Sequence, residues 1–124
     1  MPLLNIKNLS KSFISKTHNL KVLKNITITA KKGEFICIVG PSGCGKTILL
    51  HIIAGFLSPS SGKILIENEE SFNPSAERIM VFQDYVLLPW KTVYENIIFS
   101  LYKFKLDKNR KKGLANYYLE LMGL

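Results

Sequence analysis

Apolar residues run through this chain in three rhythms. Two short continuous runs, Phe35-Ile36-Cys37-Ile38-Val39 and Ile79-Met80-Val81-Phe82 after Arg78, have the length and β-rich make-up of strands buried in a parallel sheet. Segments 4–9, 22–29 and 63–67 read as further strands. In segment 22–29, Val22, Ile26 and Ile28 share one alternating face, which Leu23 and Asn25 interrupt. Residues 48–57 are apolar almost all round and predict a buried helix. Turns are expected at Lys31-Lys32-Gly33-Glu34 and at Ser58-Pro59-Ser60-Ser61-Gly62, and the polar stretch 68–77 reads as a loop.

Beyond residue 90 the period becomes helical. Thr92 followed three positions later by Glu95 is a capping box, in which a hydroxyl and a carboxylate each satisfy a free N–H. Val93, Ile97, Leu101 and Phe104 then recur at helical spacing. A second helix is predicted over 108–122, with Leu114, Tyr118 and Leu121 on one stripe and Gly123 as its stop. There is no internal repeat and no low-complexity segment.

The sharpest chemical signal lies between the first continuous run and the apolar helix. Residues Gly40-Pro41-Ser42-Gly43-Cys44-Gly45-Lys46-Thr47 match G-x-x-x-x-G-K-[ST], the phosphate-binding P-loop, in the strand–loop–helix setting it requires. Gly43 and Gly45 permit backbone dihedrals closed to other residues. Successive amides then form an anion nest that the positive end of the following helix reinforces. Lys46 reaches the outer phosphates and Thr47 offers a hydroxyl to Mg²⁺. The expected ligand is a nucleoside triphosphate. A glycine-rich strand–helix turn with a surface lysine is the bland alternative.

Composition bounds the rest. At 124 residues the chain is one domain by length. Its start carries no basic region followed by a long apolar stretch, and no run reaches the length of a membrane span. Cys37 and Cys44 lack metal-ligand spacing and read as small buried residues of a reducing compartment. Net charge is +8, from 17 basic and 9 acidic residues. The densest basic segment, 103–112, straddles the expected break between the two helices. It reads as a solvated linker or as a patch for anionic lipid or a partner subunit. Charge alone does not make the chain a nucleic-acid binder, and none is expected as a partner.

Taken in order, these motifs resemble the ATP-binding subunit of ABC transporters over nearly the whole chain. The implied fold is an α/β P-loop NTPase of the ABC ATPase type, present here as its N-terminal half: a β-subdomain, the P-loop core strands and the start of a helical subdomain. The boundaries expected are 1–90 and 91–124. Leu9-Ser10-Lys11-Ser12-Phe13 looks like the segment bearing the family's adenine-stacking aromatic, which would make Phe13 the stacking residue; a core phenylalanine is the alternative. Gly33-Glu34-Phe35, Ala54-Gly55-Phe56 with Pro59 and Gly62, and Val81-Phe82-Gln83 match the family's usual text. Gln83 would then begin the Q-loop, which helps place Mg²⁺ and the attacking water and senses the membrane subunit. It would equally serve as an ordinary polar residue at a strand end.

The segment from Leu87 to Ile97, with Leu88-Pro89-Trp90 and then Val93-Tyr94-Glu95-Asn96-Ile97, resembles the branch that imports nitrate, sulfonates, taurine or bicarbonate. Trp90 beside Pro89 offers a rigid apolar surface for a coupling helix of the permease, or else packing between subdomains. Residues 118–124 resemble the helix before the family's signature. Two departures matter. Ile48 stands where a second hydroxyl residue usually supports the α-phosphate. The signature, the metal-binding aspartate, the base glutamate and the switch histidine find no match here, and neither His18 nor His51 sits where the switch residue belongs. The resemblance implies Mg-ATP as ligand, a second ATPase subunit and a permease as partners, and a cytoplasmic place against the inner face of the membrane. A truncated, inactive remnant of such a subunit and another P-loop NTPase or kinase are the alternatives.

Overall fold

The computed structural model describes residues 2–15, 18–75, 78–84 and 86–124. Met1 at the chain start and Ala76 and Glu77 of the expected 68–77 loop lie outside them. The chain divides into two compact units, Met1–Met80 and Val81–Leu124.

The first unit is a four-stranded antiparallel sheet in the order β2-β1-β3-β4, covered by one helix. β1 (Leu4–Ile14) and β2 (Asn19–Ala30) are each longer than the alternation predicts. β3 (Ser61–Ile66) lies on the other side of β1, and β4 is the two-residue Glu69–Glu70 within the expected loop. Irregular registers explain the interrupted alternation. The β1–β2 pairing shifts between Ile6 and Leu9, between Leu9 and Lys11 and between Lys11 and Ser12, and Asn8 and Asn25 adopt positive φ of 49° and 50°. Asparagine is among the few non-glycine residues that tolerate this region. The buried Ser10 hydroxyl accepts from the Asn25 amide at 3.0 Å and pairs with its Oδ1 at 3.2 Å. These irregularities turn Leu23 into the core, while Val22, Ile26 and Ile28 are half-buried around it.

The helix α1 (Lys46–Ala54) packs through Leu49 and Ile52 onto Ile6, Leu9, Leu23 and Ile64 of the sheet. It is one-sided, not buried all round, since Leu50 stays 45 % exposed. Gly55, at φ 84°, ends it by donating to Ile52 O while Phe56 N donates to His51 O. Arg78 then ties its last turn to the following loop, donating to Ile53 O at 2.8 Å, to Ser71 Oγ at 2.8 Å and to Asn73 O.

Two expected strands need correction. Residues 35–39 and 78–82 belong to no sheet, and Phe35, Val39, Ile79 and Val81 are 92 %, 87 %, 88 % and 90 % exposed. Only Ile38 of the first run packs against the core, beside half-buried neighbours. A strand exists only as one side of a ladder, and neither run pairs with a strand of this sheet. No described segment supplies the neighbour that either run requires. Cys37 and Cys44 are likewise exposed and not buried, because they sit on or beside this unpaired stretch.

The second unit holds α2 (Val93–Ser100), a single 3₁₀ turn (Leu101–Lys103) and α3 (Lys108–Leu121). The capping box forms: Thr92 Oγ1 accepts from Glu95 N at 3.2 Å, and Glu95 Oε2 accepts from Thr92 N at 2.8 Å. The 3₁₀ turn breaks the helical stripe before Phe104, which is extended. Asp107 caps α3 by accepting from Arg110 N at 2.9 Å, and Gly123 closes it at φ 72°. On α3, Ala115 is the buried residue, and Tyr118 and Leu121 of the expected stripe are exposed.

Two outcomes test these local arguments. A Cβ at Gly62, whose φ is 89°, would stand 2.5 Å from Asn8 O, so Gly62→Ala should destabilise the first unit by at least about 1–2 kcal/mol in urea denaturation. Backbone and side-chain hydrogen bonds from Thr92 hold the Glu95 carboxyl below the usual range, and the Arg110 amide does so for Asp107. Folded values below unfolded ones mean stability present above the ordinary carboxylate range, near pH 4, and lost as pH falls through the folded values. Helical circular dichroism should therefore decline on acidification, and Glu95→Gln should flatten part of that decline.

Candidate functional site: the glycine loop

The site grows from the junction between residues 35–39 and α1. Gly43 and Gly45 stand at φ 78° and 98°, in the left-handed region that any side chain would strain. Gly45 has a second reason to be glycine: a Cβ there would meet Leu23 Cδ2 at 2.9 Å and Val22 Cγ1 at 3.0 Å. The loop thus lies directly on β2, and the same Leu23 that anchors the core sets its height. Gly40 is crowded as well, since a Cβ would meet Cys44 Sγ at 2.9 Å.

Between them Pro41, Ser42, Gly43 and Cys44 make a tight turn, with Cys44 N donating to Pro41 O at 3.4 Å. Helix α1 starts at Lys46 with no side-chain cap and no acid in its first turn. Among the described residues no acceptor meets the amides of Gly45, Lys46, Thr47 or Ile48. A helix start normally finds partners for such donors, or presents them to a ligand. Among the described residues no group competes for this one.

Lys46 folds back over the loop. Its Nζ donates to Gly40 O and Pro41 O, each at 2.7 Å, and approaches Cys44 Sγ at 3.6 Å. The ammonium is therefore held beside the nest and not extended into solvent. Thr47 is exposed with its hydroxyl accessible, whereas Ile48 is half-buried against the core. Ile48 can offer only its main-chain amide. Unpartnered amides, one held cation and a nearby hydroxyl are the groups a P-loop uses for phosphate and metal.

The other expected site residues fall as follows. Phe13 lies on β1, is 41 % exposed and so is not a core residue. Lys11 Nζ sits 5.2 Å from its ring centroid and also donates to Ser58 O at 2.7 Å, a brace that the sequence pattern did not reveal. Gln83 is exposed and belongs to the second unit. Trp90, 76 % exposed in the same unit, is presented by a turn that Asn96 organises. Asn96 Oδ1 accepts from Leu88 N at 2.8 Å, and Nδ2 donates to Leu88 O, Lys91 O and Thr92 O. The Val93-Tyr94-Glu95-Asn96-Ile97 text was the signal for that role. His51 stacks edge-on to Phe56 at 6.4 Å. Among the described residues no helix is long and apolar enough to cross a membrane.

Comparison with known proteins gives these features a family. The ABC transporter family matches residues 23–124. The nitrate import ATP-binding protein NrtD of Synechocystis is 41 % identical over 121 residues, which are 98 % of this chain and 46 % of that protein. The taurine import ATP-binding protein TauB of Pelagibacter ubique is 44 % identical over 109 residues, 88 % of this chain and 41 % of its own length. The chain thus spans less than half the length of these curated relatives. Among solved structures, a dimeric ATP-binding cassette in a post-hydrolysis state bound to ADP and Pi superposes with a TM-score of 0.78 at 27 % identity, covering 98 % of this chain and 57 % of that one. Motif order, the antiparallel sheet beside a glycine loop, and these matches agree: the chain belongs to the ABC transporter family, within its ATP-binding cassettes.

Proposed function

We propose that this chain binds Mg-ATP as part of the ATPase subunit that energises an ABC importer of small solutes such as nitrate, sulfonates or taurine. The observation that carries the reading is the set of unpartnered amides at the start of α1, with the Lys46 ammonium held beside them. In this reading the main chain from Gly40 to Cys44 and the amides of Gly45 to Ile48 wrap the phosphates. Lys46 neutralises their charge and Thr47 holds Mg²⁺ by its hydroxyl. Phe13 stacks on the base, its ring already ordered by Lys11. Gln83 joins the metal and orients water.

The names of the nitrate and taurine relatives, and the Leu88-Pro89-Trp90 text, support the choice of solute class. Residues 1–90 then form the N-terminal part of the ATP-binding domain, and 91–124 begin its helical subdomain. The exposed indole of Trp90, fixed on a braced turn, suits an apolar contact with a permease on the cytoplasmic face of the membrane. A dimeric relative supports pairing with a second ATPase subunit, head to tail around two nucleotides.

Phosphoryl transfer needs an oriented water and groups that stabilise developing charge. None of the site residues named here is an acid. This stretch by itself therefore grips nucleotide and does not turn it over.

Isothermal titration of the purified chain with Mg-ATP should give saturable heat that Lys46→Ala abolishes. Absence of heat with folded wild-type protein would sink the assignment. Phe13→Ala should weaken binding by about 5- to 100-fold, the range for loss of one base–aromatic stack of about 1–3 kcal/mol. Steady-state phosphate release should stay at background; release that depends on Lys46 would overturn the claim that the stretch does not turn ATP over.

A further inference from the structure

The helical unit contains a cavity of about 330 Å³ that the nucleotide reading does not use. Tyr94 and Ile98 of α2 and Tyr102 of the 3₁₀ turn line it together with Lys108, Lys111 and Lys112 of α3. Spacings of three and four residues bring these lysines to one face of their helix. The lining includes no carboxylate. The two nearest acids in sequence are engaged elsewhere: Asp107 caps α3, and Glu95 closes its box with Thr92. Among the described residues the one ion pair, Lys63 with Glu70, lies in the other unit.

Three like charges on one helical face repel, and no carboxylate in the lining offsets them. One of them, Lys111, is held in place, with its Nζ 5.0 Å from the Tyr102 ring centroid. Aromatic and aliphatic side chains beside ammonium groups define a mixed lining, cationic in one part and apolar in another. We propose that this cavity binds a phosphate anion that carries an apolar group. Two sources share that chemistry: the headgroup region of an anionic phospholipid, and a soluble aromatic or aliphatic phosphate ester.

The test uses the full chain with Lys46→Ala, so that the glycine loop does not contribute. One arm measures co-sedimentation with phosphatidylglycerol–phosphatidylcholine vesicles, and the other follows the Tyr94 and Tyr102 ring resonances on titration with phenyl phosphate. Binding in the first arm assigns the lipid and binding in the second the soluble ester; either supports the site. In the arm that binds, Lys111→Gln/Lys112→Gln should weaken the interaction about tenfold or more, and Lys111→Arg/Lys112→Arg should restore it. Lys103→Gln/Lys105→Gln removes equal charge outside the lining and should change it by less than about threefold. Silence in both arms, or equal losses from the two glutamine pairs, overturns the proposal, since the latter would mean net charge and not a cavity.

Discussion

The contact that fixes everything at the glycine loop is the packing of Leu49 and Ile52 from α1 against Ile6, Leu9, Leu23 and Ile64 of the sheet. Each such side chain, fully buried, contributes on the order of 1.5–3 kcal/mol. Leu49 lies about one turn and Ile52 nearly two turns inside the helix start, so the apolar contact sets where the uncapped amides point. Leu23 works on both sides of the arrangement. It is 5 % exposed in the core, and its methyl leaves room at Gly45 for a hydrogen but not for a Cβ. The placement of the glycine loop at the surface is in this way dictated by hydrophobic packing beneath it.

That dependence explains the left-handed glycines better than flexibility does. A main chain lying against β2 must turn sharply to start α1, and only residues without Cβ turn there at low cost. The same local chemistry made the loop readable before any coordinates. Thr92 with Glu95 and Gly123 after α3 were legible for a related reason. Each is decided by atoms within a few residues, so residue type and spacing suffice. Ser61 and Gly62 of the expected turn instead open β3.

Non-local features were read less well. The runs 35–39 and 78–82 have the composition of buried strands, yet their outer side chains face solvent. Composition reports what a segment can pair with, and pairing itself depends on a neighbour elsewhere in the fold. The alternation of β2 misled for another reason. Its bulges, marked by Asn8 and Asn25 at positive φ, exchange which side chain faces inward, and Leu23 became core where Val22 was expected. Arg78 and Lys11 were silent in the sequence because main-chain carbonyls they meet, Ile53 O and Ser58 O, lie far along the chain.

Charge is distributed differently at the glycine loop and in the helical unit. At the glycine loop one ammonium acts beside several amide dipoles, which are fixed by the fold and carry no net charge. Dipoles held in place discriminate by shape, because they satisfy only oxygens that arrive along their N–H directions. Between residues 103 and 112 the arrangement is reversed, with six basic side chains and one acid. Such charges attract over roughly a Debye length and weaken as salt is added. The excess of +8 therefore says little about the glycine loop, which needs a single cation, and its densest concentration lies in the helical unit. A basic composition and a phosphate motif in one chain need not describe the same surface.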